Sequence, residues 1–255
     1  MQRIYPTPGR VAGSDDLIAA YRYPDTGGEP WVRATMAATL DGAAWGPDRR
    51  SGSISSPADK EAFAVMRGLA DVILAGAGTV RAESYGPAET GGALAEHRAA
   101  LDQRPVPAIA VVSRTLALDP AAPLFADAVE PTIVLTTEGS PADRRALLAE
   151  VASVVVAGDE DFDVGYALRV LADRGLYRIQ CEGGPHLLAE VAAADALDEL
   201  CLTVSPLLTG GDAGRIIAGG AVPDRPWELL HILEEDGTLL TRWRRQPAPS
   251  TSARS

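Results

Sequence analysis

The chain has 255 residues, 46% of them hydrophobic and 23% charged, which is enough to bury one sizeable core. Its formal net charge of -12 at pH 7 argues against nucleic acid or an anionic membrane surface as partner, since both demand clustered positive charge. His97, His186 and His231 are too scattered for a metal site, and no apolar run approaches membrane-spanning length.

Cys181 and Cys201 sit inside apolar runs, as packed thiols of a reducing compartment do, so a cytoplasmic protein is expected. Every basic residue is arginine except Lys60, a skew read here as compositional. Residues 1–29 read as an N-terminal extension. Pro6, Pro8, Pro24 and the Gly27-Gly28 pair interrupt regular structure there, leaving one short helix over 15–21 capped by Ser14.

From 30 to 245 strand and helix patterns alternate as one domain. The strands fall at 32–38, 72–75, 108–112, 132–136, 153–156, 177–181 and 200–204. They are short and apolar on both faces, as strands beneath two helix layers are. Helices are predicted over 57–69, 93–101, 141–150, 164–173 and 187–194. Ser56-Pro57 and Ser140-Pro141 each join a cap residue to a proline at the first helical position. Strands 228–234 and 238–244, joined by Asp236-Gly237, close the domain as a hairpin. The sum is α/β: a single three-layer domain with a mixed, mostly parallel central sheet. Residues 246–255, rich in Pro, Ser and Ala, read as a disordered tail.

Two glycine-bearing turns follow predicted strands: Gly76-Ala77-Gly78-Thr79, and Glu182-Gly183-Gly184-Pro185-His186-Leu187. Glycine permits tight turning and close approach, and a helix start presents N–H groups suited to phosphate. Neither turn has the spacing of a Rossmann fingerprint. Singly, each is ordinary geometry; together they point to the two halves of a pyrophosphate cofactor.

Other motifs divide between a plain and a functional reading. Thr39-Leu40-Asp41-Gly42 is a simple turn, or a loop hinged at Gly42 and Gly46. Ser51-Gly52-Ser53 and the residues after it cap a helix, and also offer hydroxyls to a ribose or phosphate. Arg67 is a solvated helix arginine or a cation for an anionic substrate. Arg114, after Ser113, is a loop residue or a contact for a cofactor 2′-phosphate. Glu182, at the carboxyl edge of the sheet, is a ligand contact or the partner of a nearby arginine.

The ordered blocks Thr39-Leu40-Asp41-Gly42, Ser55-Ser56-Pro57, Leu69 through Glu83, Glu182-Gly183-Gly184-Pro185, and Asp198 through Leu208 carry a resemblance. The chain resembles the reductase domain of the riboflavin-biosynthesis deaminase/reductase, and most of all its stand-alone pyrimidine-reductase-like members, whose fold is dihydrofolate reductase-like. The resemblance implies NADPH-dependent reduction of the ribosylamino side chain of a pyrimidine 5′-phosphate, in a homodimer. By position, the cofactor would touch Ala38, Ser53, Thr79, Glu83 and Ser113, with the run Gly184, Pro185, His186 and Leu187 against its pyrophosphate, beside Gly76, Gly78 and Gly183 of the two turns. Substrate would meet Ser51, Arg67 and Glu182, and Asp41 would handle a proton or position a loop.

Two positions and one segment depart from the family pattern: Thr35 stands where the biosynthetic members carry a lysine, Ser53 where some members carry an aromatic, and residues 84–90 replace an arginine-bearing segment. The zinc-deaminase signature is absent from the chain. Two further readings therefore stay open: reduction of another heterocycle such as dihydrofolate, and a non-catalytic NADPH-binding protein.

Overall fold

A computed structural model describes residues 1–247, so the tail expected over 246–255 lies, from 248 onward, outside the described residues. Eleven strands form one sheet. They are β1 (Gln2–Tyr5), β2 (Gly9–Arg10), β3 (Trp31–Thr39), β4 (Val72–Gly76), β5 (Ala108–Val112), β6 (Ile133–Thr136), β7 (Ser153–Val156), β8 (Arg178–Cys181), β9 (Glu199–Ser205), β10 (Trp227–Glu235) and β11 (Thr238–Arg245). Their order is β2-β1-β10-β11-β9-β3-β8-β4-β5-β6-β7. Pairings from β9 through β7 are parallel, and those from β2 through β9 are antiparallel. The domain is thus α/β with a mixed, mostly parallel sheet.

The helices are α1 (Ser14–Tyr21), α2 (Pro57–Leu69), α3 (Ala77–Ala82), α4 (Gly92–Ala100), α5 (Pro123–Ala126), α6 (Ala142–Ala149), α7 (Val164–Ala172) and α8 (Pro185–Ala193). Alternation along the strands sorts the core into two faces. Val72 and Leu74 pack with Leu168 and Leu188 of α7 and α8, while Ile73 and Ala75 pack with Leu124 and Leu148 of α5 and α6. On the latter face, further along the sheet, Ala62, Val65, Met66 and Leu69 of α2 join Leu17 and Tyr21 of α1.

Helix α2 starts as its sequence dictates: the Ser56 hydroxyl accepts from the Asp59 N–H at 3.2 Å, and Pro57 opens the first turn. Two other expected caps are corrected. Gly13, not Ser14, occupies the N-cap of α1, and the Asp16 carboxylate accepts from the Ala12 N–H at 2.8 Å. Pro141 occupies the cap of α6, with Ser140 one residue outside it accepting from the Arg145 guanidinium at 3.2 Å. The segment read as an N-terminal extension, 1–29, supplies β1, β2 and α1, and buries Leu17, Ile18, Tyr21 and Tyr23.

Candidate active site

Parallel pairing of β8 with β4 places the two glycine turns side by side at the carboxyl edge of the sheet. The Gly76 N–H donates to the Gly183 carbonyl at 2.6 Å. Gly183 takes φ +76°, and a Cβ on Gly184 would lie 2.8 Å from the Thr79 hydroxyl. Helix α8 begins with Gly184 as N-cap and Pro185 in its first turn, so the His186 and Leu187 N–H groups have no intrahelical acceptor.

Beside this strip opens a cavity of about 350 Å³. Thr35, Met36 and Ala37 of β3 form one wall, and Asp59, Lys60, Phe63 and Arg67 of α2 face them at helical spacing. Thr79, Glu83 and Tyr85 close the third side, and Glu182 stands at the end of β8.

The charged centre is a clamp. Arg67 reaches Glu182 with Nε and Nη2, each at 2.7 Å, and the Tyr85 hydroxyl donates to the same carboxylate. The guanidinium lies 4.9 Å from the ring centres of both Phe63 and Tyr85, within cation–π range. Burial opposes the Arg67 charge, but the hydrogen bonds and charge of Glu182 hold its pKa above the ordinary value. Burial, followed by the Glu182 charge, raises the Tyr85 phenol well above 10 and keeps it a donor. Thr35 accepts from the buried Gln180 amide in the cavity wall.

Of the residues singled out from sequence, Ser51, Arg67, Thr79, Glu83 and Glu182 line this cavity, and Gly76, Gly183 and Gly184 adjoin it through Thr79. Ser51 and Glu83 meet directly: the Ser51 N–H and hydroxyl both donate to the Glu83 carboxylate at 3.1 Å. Ser53 faces away, its hydroxyl donating to Asp48 at 2.7 Å. Ser113 accepts from the Leu116 N–H at 3.0 Å and so holds its own turn. Arg114 is bound to Glu190 of α8. Ala38 is buried in β3 opposite Val204, and His186 is exposed at the first turn of α8.

Asp41 does not line the cavity. Its carboxylate accepts from the Thr39 hydroxyl, the Gly210 N–H at 2.7 Å and the Thr209 N–H at 3.2 Å. Those bonds, the Thr39 hydroxyl foremost, lower its pKa to about 2. A carboxylate so weakly basic is poorly matched to proton transfer near neutral pH. Its geometry ties the 39–43 turn to the 209–210 loop. Phe63 and Tyr85 escaped sequence reasoning because an aromatic on an amphipathic helix or in an irregular loop reads as packing.

Comparison with known proteins bears on this geometry. The family model of the RibD C-terminal domain matches residues 30–240. The 2,5-diamino-6-ribosylamino-4(3H)-pyrimidinone 5′-phosphate reductase of Aquifex aeolicus is 31% identical over 202 residues, covering 76% of this chain and 86% of that one. The reductase of the same description from Archaeoglobus fulgidus is 27% identical over 191 residues, covering 75% and 87%. Among solved structures, a pyrimidine reductase-like protein from Corynebacterium diphtheriae superposes with a TM-score of 0.82 at 23% identity, covering 93% of this chain and all of that one.

Proposed function

Because this chain belongs to the RibD C-terminal domain family, we propose that it is an NADPH-dependent reductase that converts the ribosylamino group of a pyrimidine 5′-phosphate to ribitylamino. The relatives named as 2,5-diamino-6-ribosylamino-4(3H)-pyrimidinone 5′-phosphate reductases support the substrate class. The observation that carries the reading is the pair of glycine turns joined by the 2.6 Å Gly76–Gly183 hydrogen bond beside a cavity holding the Arg67–Glu182 clamp.

The residues present fit a dinucleotide. Bare backbone at Gly183 and Gly184, unpaired N–H groups at the start of α8 and the Thr79 hydroxyl make a strip suited to a pyrophosphate. When bound, the cofactor supplies a hydride. The chain supplies orientation and charge. Arg67, held planar between Phe63 and Tyr85, keeps Nη1 uncommitted within the protein and so offers donors to substrate oxygens. Ser51 and Glu83 couple the α2 side of the cavity to the glycine side.

The protein is expected to act in the cytoplasm as a homodimer. Leu202, Val204 and Leu239 stay partly exposed on the face of β9 and β11 turned away from α1 and α2, and this face would form the contact. Sedimentation velocity showing a monomer would refute the pairing. The activity is tested by following nicotinamide absorbance with the phosphorylated pyrimidine, and with dihydrofolate as the competing substrate. Oxidation with the pyrimidine alone is expected; oxidation with dihydrofolate alone would overturn the reading.

A further inference from the structure

Carboxylates outnumber cations in the lining of the cavity: Asp59, Glu83 and Glu182 against Lys60 and Arg67. A dianionic phosphate entering such a site needs a positive charge that the fold has not already neutralised. Arg67 does not meet that need, because both oxygens of Glu182 lie on it at 2.7 Å. The segment after α3 does not either, since it presents Glu83, Ser84, Tyr85 and Gly86 to the cavity. Thr35, committed to the Gln180 amide, leaves β3 without a cation there.

Lys60 is different. Among the described residues no carboxylate lies within 4.0 Å of its ammonium. The positions three and four residues away on α2 are Pro57, Phe63, Ser56 and Ala64, so no acid supports it along the helix. It also sits in the first turns of α2, where the helix dipole disfavours a cation. Neither pairing nor the helix favours this charge, which is the only lysine of the chain and faces the cavity.

Building on the proposed reductase reading, we propose that Lys60 holds the phosphate group of the substrate and sets the preference for phosphorylated over dephosphorylated ribosides. The task falls to α2 because Tyr85 stands in the loop after the first glycine turn and locks Glu182 onto Arg67.

The test titrates ribose 5-phosphate, with ribose as control, into the wild type, Lys60→Gln and Lys60→Arg. Charge-assisted hydrogen bonds to phosphate predict that Lys60→Gln weakens ribose 5-phosphate binding roughly ten- to hundredfold. Ribose binding should be unchanged, and Lys60→Arg should retain most of the phosphate affinity. Lys60→Gln should melt no lower than the wild type, since an unfavourable helix charge is removed. Equal ribose 5-phosphate affinity in the wild type and Lys60→Gln would overturn the proposal, as would no binding to the wild type. NADPH oxidation separates the two claims. Turnover of the phosphorylated pyrimidine with an unchanged KM in Lys60→Gln sinks the Lys60 role and leaves the reductase standing. Lys60-dependent phosphate binding without turnover does the reverse.

Discussion

Glu182 commits both carboxylate oxygens inside the fold, to Arg67 and to the Tyr85 hydroxyl, yet it stands in the wall of the cavity. Glutamine would keep its shape and remove its charge, leaving the Arg67 guanidinium uncompensated between two rings. Glu182→Gln should therefore lose about 1–3 kcal/mol in denaturant unfolding, the cost of a charged hydrogen-bonded group deprived of its partner. Its kcat/KM for the pyrimidine should fall while NADPH affinity, measured by nucleotide titration, is retained, because the glycine strip does not include the carboxylate. Equal loss of both affinities would contradict that separation. The sequence placed Glu182 and Arg67 at the site and allowed for an acid paired with an arginine; the structure joins the two in one pair. Tyr85 was illegible because it depends on α3 turning the following loop back over Arg67, a tertiary fact with no periodic trace.

At the scale of elements, β4 and β8 matter because they are neighbours: their adjacency turns two unremarkable glycine turns into one backbone surface. A side chain on Gly184 would point at the Thr79 hydroxyl, with a Cβ at 2.8 Å, and cover the N–H groups at the start of α8. Gly184→Val should weaken NADPH binding by about tenfold or more, the worth of one charge-assisted hydrogen bond. Retained NADPH affinity in this variant would remove the turns from the cofactor site. The parallel strands were legible because continuous apolar runs such as Val72-Ile73-Leu74-Ala75 serve both layers at once. By contrast, β1 and β2 were not legible. They are short, and β1 is exposed along its length, so no alternation marks them. Helix α3, six residues directly after β4, carries too little periodicity to be separated from its turn. The misplaced caps of α1 and α6 share one cause, a serine beside a better-placed Gly or Pro.

Across the whole molecule, the N-terminal segment is fastened by charge. Arg33 and Arg242 share one carboxylate, that of buried Glu199, at 2.7 Å each, and donate on to the Tyr21 carbonyl at 2.7 Å and the Ala20 carbonyl at 2.6 Å. Two guanidiniums on one carboxylate leave a positive excess, which the carbonyl end of α1 absorbs. That excess bears on His231, whose ring meets Tyr21 edge-on at 5.1 Å. Burial foremost, then the Arg242 and Arg33 charges, lower its pKa from 6.5 to about 4, with Glu199 opposing and Arg3 adding to the fall. The folded pKa lies below the unfolded one, so the unfolded chain takes up the proton first. The contribution is complete above pH 6.5 and is lost progressively as pH falls toward 4. A shift of that size corresponds to a loss on the order of 3 kcal/mol. Chemical denaturation of the wild type between pH 7 and 4.5 should show that decline, and His231→Gln should flatten it. Parallel declines in the two proteins would mean that the histidine is not the group responsible. Because β10, which bears His231, also pairs with β1, acid should release the N-terminal segment before the parallel half of the sheet.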